Sequence, residues 1–145
     1  MVYILGRNME YTKLIVDGYN VINFAFKVER ESLEKKRSRL IEKMVNFSAY
    51  TGIKVVIVFD GQGGLRSKER FEGVKVIFSK KGQSADSVIE RLLYQEENHN
   101  SVAVASSDNA LRDMAFGSGA NCIYSLDLIE EVIQAEEEMR IGRVN

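Results

Sequence analysis

The chain has 145 residues, 45% of them hydrophobic and 28% charged, with a formal net charge of −1. This composition is typical of one globular domain with a buried core, and no apolar run approaches the roughly 20 residues of a membrane helix, so we expect a cytoplasmic protein without a membrane partner. The single cysteine, Cys122, excludes an internal disulfide and a cysteine zinc cluster, and the single histidine, His99, argues against a multi-histidine metal site or a catalytic triad. Any chemistry therefore uses carboxylates, amides, hydroxyls and basic side chains.

The near-neutral total conceals three charged segments. Residues 27–43 carry a local charge of +3, residues 66–81 carry +4, and residues 127–140 carry −5. Solvated helix faces account for the first and third segments, whereas the second reads as a loop, so a basic binding surface and an ordinary solvated surface are equally open for it. A polyanionic partner is compatible with this chain if the attraction is local.

The first half of the chain alternates between apolar strands and one long helix. The segment KLIVD, Lys13–Asp17, predicts a strand, and IKVVIVFD, residues 53–60, predicts a second strand with a nearly unbroken apolar run. Between them we predict a helix that begins after the N-cap Ser32 and ends at Gly52. The next segment, GQGGLRSKERFEG at residues 61–73, predicts a glycine-rich loop.

The second half repeats this alternation with shorter elements. We predict a strand in VKVIFS, residues 74–79, a helix that begins after Ser84, a strand in SVAVASSD and a helix in NALRDMAFGSG. A short strand in NCIYS and a closing helix capped by Ser125 complete the chain.

Strands that are apolar on both faces and alternate with helices predict the α/β class, with a central, mainly parallel sheet of about five strands flanked by helices. The sequence contains no repeat, low-complexity segment or linker, so we expect residues 1–145 to form a single domain. Right-handed crossovers bring the carboxyl ends of the strands to one edge of the sheet, where open α/β sheets bind ligands.

Four acidic residues belong to that edge in the predicted fold. Asp17 and Asp60 end the first two strands, Asp108 ends the strand SVAVASSD, and Asp86 lies in the first turn of the helix after the third strand. Each has an ordinary explanation, because carboxylates favour helix N-termini and Asp-Gly pairs favour turns. Those preferences do not require four carboxylates to converge.

Convergence would carry an energetic cost. Two carboxylates about 5 Å apart repel by roughly 3 kcal/mol at an effective dielectric of about 20, so three such pairs approach the whole stability of a small domain, about 5–15 kcal/mol. Protonation or a bound cation must relieve that repulsion. Oxygen ligands without histidine or cysteine favour Mg²⁺ or Mn²⁺, and water activated by such an ion can hydrolyse a phosphodiester.

The motifs that carry these acids resemble those of a known family. VDGYN on the first strand, VVIVFD on the second, GVKVIFSKKGQSADSVIER in the middle and VAVASSD on the fourth are together similar to the YacP-like branch of the NYN domains, within the PIN-like nuclease superfamily. The resemblance covers a core of about residues 13–131. It implies a PIN-like three-layer sandwich and a Mg²⁺- or Mn²⁺-dependent endoribonuclease, and related bacterial proteins are associated with mRNA decay on the ribosome.

The resemblance also implies roles for individual residues. Asp17 and Asn20 match the acid and the amide of the DGxN motif, Asp86 matches the acid that opens the central helix, and Asp108 matches the acid of the Ser/Thr-x-Asp motif. We expect Asp17, Asp86 and Asp108 to hold the metal and, with Asn20, to form the catalytic centre. Asp60 is expected as a more peripheral metal ligand.

Neighbouring side chains are expected to support this centre. Ser106 takes the hydroxyl position of the Ser/Thr-x-Asp motif and, with Ser107, would orient a ligand carboxylate or a water. Glu90, one helical turn after Asp86, is either a further ligand or a solvated side chain. The side chains expected to contact RNA are Arg66, Lys68, Arg70, Lys80, Lys81 and Tyr19. For Tyr19, stacking on a base and packing near the strand end are equally open.

Other enzyme classes lack their required residues here. A receiver domain needs a lysine after the last strand, a haloacid-type phosphatase needs a second aspartate where Tyr19 stands, and a P-loop NTPase needs a GxxxxGK[ST] motif. A non-catalytic RNA-binding or adaptor module and a toxin-type PIN nuclease remain alternatives. A monomer and a homodimer are both compatible with the sequence.

Overall fold

A six-stranded sheet flanked by helices forms the centre of the computed structural model, which describes residues 2–4, 7–9, 11–26, 30–61 and 68–144. A two-stranded antiparallel sheet of β1 (Val2–Ile4) and β2 (Arg7–Met9) precedes this sheet in the chain and is separate from it. The strands of the sheet are β3 (Lys13–Asp17), β4 (Lys54–Phe59), β5 (Lys68–Phe71), β6 (Val74–Phe78), β7 (Val102–Ala105) and β8 (Asn121–Ile123). The helices are α1 (Gly18–Ala25), α2 (Leu33–Thr51), α3 (Ala85–Gln95), α4 (Asn109–Gly117) and α5 (Ser125–Val144).

The strand order is β5-β6-β4-β3-β7-β8, and every neighbouring pair is parallel except β5 with β6. This confirms the predicted α/β class with a mainly parallel sheet. From β3 the chain builds outward to β4 and β6, and it then returns to add β7 and β8 on the other side of β3. The strand order therefore reverses between β3 and β7, and such a reversal opens a crevice at the carboxyl ends of the strands.

The two faces of the sheet carry two separate cores, because successive side chains of a strand point to opposite faces. Leu14 and Val16 of β3 pack in the core formed with α1, α2 and α5. Ile15, between them, packs in the core formed with α3 and α4. The result is a three-layer sandwich, as predicted. No helix in the described part of the chain is long and apolar enough to cross a membrane.

The predicted helix ends of α2 and α3 are confirmed by their capping geometry. The Ser32 hydroxyl accepts a hydrogen bond from the Lys35 amide at 3.2 Å, and Gly52 ends α2 in a left-handed conformation with φ of 79°. Ser84 accepts similarly at the start of α3. The prediction for Ser125 is wrong, because α5 begins at Ser125 itself and its side chain is bound elsewhere.

Among the elements that are absent from the prediction, β5 and α1 belong to the central sheet and to the layer next to it. Residues 68–71, expected to be part of a loop, form β5 at the edge of the sheet, because their backbone pairs with β6 although KERF has no apolar pattern. Residues 62–67 lie outside the described residues. The helix α1 begins directly after β3, without a connecting loop, and it places Asn20 close to the carboxyl end of the strand that precedes it.

Candidate active site

The candidate site lies at the carboxyl ends of β3, β4 and β7, a region that we call the carboxyl edge. Asp17 is the last residue of β3 and Asp60 follows β4. The register of β3 turns Asp17, like Ile15, toward the layer of α3 and α4. Those two helices present Asp86 in the first turn of α3 and Asp108 as the N-cap of α4. Four acids from four separate segments therefore lie at one end of one face of the sheet.

A serine connects the two acids that flank the crevice between β3 and β7. Ser106 is fully buried, and its hydroxyl donates to Oδ2 of Asp17 at 2.7 Å. The hydroxyl oxygen of Ser106 also accepts from the backbone N–H of Asp108 at 3.1 Å. Oδ1 of Asp108 in turn accepts from the Leu111 amide at 2.9 Å, which caps α4. Ser106 thus fixes the rotamer of Asp17 and the start of α4 together.

Asn20 holds the loop between β7 and α4 in place. Its Oδ1 accepts from the Ser107 backbone N–H at 2.9 Å and from the Ser125 hydroxyl at 2.6 Å. The Ser107 hydroxyl accepts from the Ser125 backbone N–H at 3.1 Å. These bonds join α1, the loop and α5, so the carbonyl oxygen of Asn20 positions the loop that carries Asp108.

Both Asp-Gly pairs lie where neighbouring atoms pack closely against the glycine. Gly18 is the first residue of α1, and a Cβ atom there would lie 2.4 Å from the Phe59 ring. A Cβ atom on Gly61 would lie 2.6 Å from the backbone oxygen of Ser79. The Ser79 hydroxyl donates to Oδ1 of Asp60 at 3.1 Å and accepts from the Gly61 amide at 2.9 Å. Glycine is therefore required because neighbouring atoms approach the backbone closely.

The four carboxylates share one electrostatic environment. Burial raises the pKa of Asp17 to about 6; the Ser106 hydrogen bond opposes this rise, and the charges of Asp86, Asp108 and Asp60 add to it. Burial also raises the pKa of Asp86, and the charges of Asp108 and Asp60 raise it further. A raised pKa on a buried carboxylate at a sheet crevice is characteristic of functional sites.

The spacing of the acids bears on the predicted metal. Among the described residues, no three acidic, histidine or cysteine side chains are close enough to ligate one ion directly. Mg²⁺ usually keeps several waters and takes only one or two carboxylates, so four acids that interact at longer range suit a hydrated ion better than a closed cage. All the candidate ligands are oxygen atoms, as hard cations require.

Comparison with known proteins gives the family. The model of the YacP-like NYN domain matches residues 14–144. The chain belongs to the YacP-like NYN domain family. The YacP protein of Bacillus subtilis (strain 168) is 35% identical in an alignment of length 139, which covers 90% of this chain and 82% of that protein. The crystal structure of Rae1 (YacP) from Bacillus subtilis is similar with a TM-score of 0.76 and 35% identity, over 94% of this chain and 82% of that one. The crystal structure of a point mutant of Rae1 (YacP) is similar with a TM-score of 0.74 and 33% identity, over 91% of this chain and 82% of that one.

These NYN domains are a PIN-like nuclease family. Membership of this family associates the fold with nuclease chemistry. The roles of the individual residues at the carboxyl edge stay predictions. Glu90 is exposed on α3, and its charge is not among those that raise the pKa of Asp17 or Asp86, which favours a solvated side chain over a ligand.

The basic residues predicted to contact RNA separate into groups in this NYN domain. Lys80 and Lys81 are exposed in the turn between β6 and α3, next to the carboxyl edge. Lys68 pairs with the carboxyl-terminal half of β6, whereas Arg70 lies two residues further from the carboxyl edge. Arg70 is thus further from the carboxyl edge than Lys68, because β5 runs antiparallel to β6, and its contact with RNA stays a prediction. Arg66 lies outside the described residues.

Tyr19 is engaged within the protein. Its ring lies 5.0 Å from the Phe59 ring, between centroids, and its hydroxyl accepts from Arg37 at 3.0 Å. The Arg37 guanidinium also lies 5.9 Å from the centroid of Phe78. Packing near the strand end is thus the observed role of Tyr19, and a contact with RNA stays a prediction.

Several residues that build the edge were not predicted from the sequence. Ser79 holds Asp60 and Ser125 holds Asn20. Arg112 donates to the backbone oxygen of Ser106 at 3.1 Å and packs 3.5 Å from the centroid of the Tyr124 ring. These contacts join distant segments, and no local pattern in the sequence marks a serine or an arginine for such a role.

Proposed function

We propose that this NYN domain is an endoribonuclease that depends on Mg²⁺ or Mn²⁺ and hydrolyses RNA phosphodiester bonds at the carboxyl edge. The observation that supports it best is the convergence of Asp86, Asp108 and Asp60 on Asp17, whose pKa is raised by burial and further by these charges. Such a cluster is relieved by a divalent cation, and the family is one of nucleases.

In this proposal Asp17, Asp86 and Asp108 hold the cation, partly through water. Asp60 is a more peripheral ligand. When bound, the cation neutralises phosphate charge and lowers the pKa of a water molecule, which is the chemistry that phosphodiester hydrolysis needs. Ser106 keeps the Asp17 carboxylate turned into the site, since its hydroxyl already donates to Oδ2.

The remaining residues of the edge position these groups and the substrate. Asn20 fixes the loop that carries Asp108 through the Ser107 amide, so it acts by positioning rather than by contact with the reacting atoms. The exposed ammonium groups of Lys80 and Lys81 stand beside the acids and would attract the flanking phosphates.

The decisive experiment measures cleavage of an end-labelled single-stranded RNA in Mg²⁺, Mn²⁺ or EDTA. The wild type is expected to cut internally with either metal and not in EDTA, and Asp17→Asn is expected to lose cleavage. Asp113→Asn serves as the matched control, because Asp113 is an exposed acid on α4. Cleavage that persists in EDTA, or an Asp17→Asn variant as active as the Asp113→Asn control, would contradict the proposal.

The proposal extends to mRNA as the substrate and to the ribosome as its setting, on the strength of family resemblance. The same cleavage assay with and without translating ribosomes tests this extension, which predicts faster cleavage of translated mRNA. A non-catalytic RNA-binding module would instead bind RNA equally well in the wild type and in Asp17→Asn without cutting it. A toxin-type nuclease would arrest growth when the wild type, but not the variant, is expressed.

A further inference from the structure

Four cations lie together on the sheet face that also carries the candidate acids. Alternation along the strands turns Lys54 of β4, Lys75 of β6, and Lys68 and Arg70 of β5 toward the same side as Ile15. The register sets Arg70 directly opposite Lys75. The helix α3 packs over β3 and β4, on the inner side of these residues.

Three of these cations line a concave surface. Lys54, Arg70 and Lys75 line a groove of about 300 Å³ at the amino-terminal ends of β4 and β6, together with Val56 and Val74. This volume is at the lower end of the range of ligand sites, about 300–1,000 Å³. We call Lys54, Lys68, Arg70 and Lys75 with this concavity the basic groove.

The positive charge of the basic groove is not neutralised within the described residues. No acid of the described chain lies within ion-pair distance of Lys54, Lys68, Arg70 or Lys75, whereas neighbouring Lys13 pairs with Glu96. Like charges directly opposite each other on paired strands destabilise a sheet. Consistent with this, burial lowers the pKa of Lys75, and the charges of Lys68, Arg70 and Lys13 lower it further.

Protection of a sheet edge explains only part of this arrangement. Charged residues on an edge strand prevent sheets from pairing between molecules, and this accounts for Lys68 and Arg70 on β5. Lys75 lies on β6, which is paired on both sides, and Lys54 lies one strand further in. Edge protection therefore does not account for the charge of Lys54 and Lys75, whereas binding of an anionic ligand would.

We propose that the basic groove binds the phosphodiester backbone of the RNA strand that enters the carboxyl edge, at phosphates several nucleotides from the cleaved bond. This inference rests on the proposed function. Lys68 belongs to the same register row as Asp17, three strands away, which corresponds to about 14 Å. Lys80 and Lys81 follow the carboxyl end of β6, the strand that carries Lys75, and precede Asp86 of α3.

The distribution of charge on the other face agrees with this path. The acidic segment 127–140 belongs to α5, which packs on the opposite face of the sheet with α1 and α2. On that face the repulsion of a polyanion is confined to α5, because α2 carries basic side chains such as Lys35 and Lys36. The strand is therefore repelled by α5 and attracted to the basic groove, along which it approaches the acids.

The test is the affinity of a fluorescent single-stranded RNA of about 20 nucleotides, measured by anisotropy in EDTA across a salt series. The variant is Lys54→Gln with Lys75→Gln, and the matched control is Lys35→Gln with Lys36→Gln on α2, which removes the same charge from the opposite layer. A third protein, Lys54→Arg with Lys75→Arg, retains the charge. We expect roughly tenfold weaker binding for the glutamine variant and a salt slope smaller by about 1.4, since each single-strand phosphate contact contributes about 0.7.

The arginine variant is expected to bind as the wild type does, and the control is expected to change little. Urea unfolding separates lost binding from lost folding, because removal of Lys75 opposite Arg70 should leave the free energy of unfolding unchanged or raised. A glutamine variant that binds RNA as tightly as the control overturns the proposal. The proposal is also overturned if the glutamine variant and the control differ in their affinity for poly-glutamate but not for RNA, because the partner is then an acidic protein.

Because binding is measured without metal, the outcome is independent of turnover. If the wild type binds RNA through the groove but cuts no RNA, the proposed function is refuted, and the proposal that the groove binds RNA still holds. Wild type that cuts RNA, with a glutamine variant that binds as the control does, would refute the groove alone.

Discussion

Replacement of Asp17 by asparagine tests the electrostatic account of the carboxyl edge directly. The Asp17 side chain is buried, with 9% of the residue exposed, and it accepts from Ser106 at 2.7 Å. Asparagine has the same shape and retains an oxygen that can accept from Ser106. The substitution therefore removes the negative charge and little else.

The size of the effect follows from the pKa. A rise from 3.8 to about 6 means that the folded protein binds the proton of Asp17 more tightly than the unfolded chain does. The corresponding stabilisation is fully present below pH 4, near the unfolded pKa, and is lost as the pH rises through about 6. At neutral pH the ionised carboxylate is thus unfavourable by about 3 kcal/mol relative to a neutral side chain.

We therefore expect Asp17→Asn to unfold at higher urea than the wild type above pH 7, in EDTA, with a gain of up to about 3 kcal/mol. The gain should shrink progressively at lower pH and be close to zero near pH 4. Asp113→Asn, at an exposed position, should show no such dependence. Addition of Mg²⁺ should stabilise the wild type and not Asp17→Asn, because the ion binds the folded state through that carboxylate.

Two results would refute this reasoning. The first is an Asp17→Asn variant that is less stable than the wild type at pH 8, since the buried charge would then be favourable. The second is a stability difference that is the same at pH 4.5 and pH 8, since it would come from packing rather than from ionisation.

Two further predictions concern the groups around the acids. Gly18→Ala should destabilise the protein by about 1–3 kcal/mol in thermal or urea unfolding, because its Cβ would meet the Phe59 ring at 2.4 Å, while Gly117→Ala, with no atom within 4 Å, should be neutral or stabilising. Asn20→Ala should cost about 1–3 kcal/mol and reduce RNA cleavage, because it leaves the Ser107 amide without its acceptor. Equal unfolding midpoints for the two alanine-for-glycine variants, or an Asn20→Ala variant as stable as the wild type, would contradict these expectations.

Local patterns were sufficient to predict most of the fold. The apolar runs of β3, β4, β6 and β7 and the caps at Ser32, Gly52 and Ser84 are properties of short segments, and each is found as predicted. The convergence of the acids followed from topology, since parallel strands joined by right-handed crossovers share one carboxyl edge. The strand β5 was missed because an exposed edge strand carries no apolar periodicity and is stabilised by pairing with β6.

The sequence by itself determined the α/β class, the parallel strands and the set of acids at their ends, because periodicity, capping and chain direction are local quantities. Only the tertiary structure decided how those acids are held. Asn20 meets Ser125, and Ser106 meets Asp17, across more than eighty residues of chain. It also decided that Lys54, Arg70 and Lys75 share a groove, because strand register brings these residues together and no local sequence pattern predicts that register.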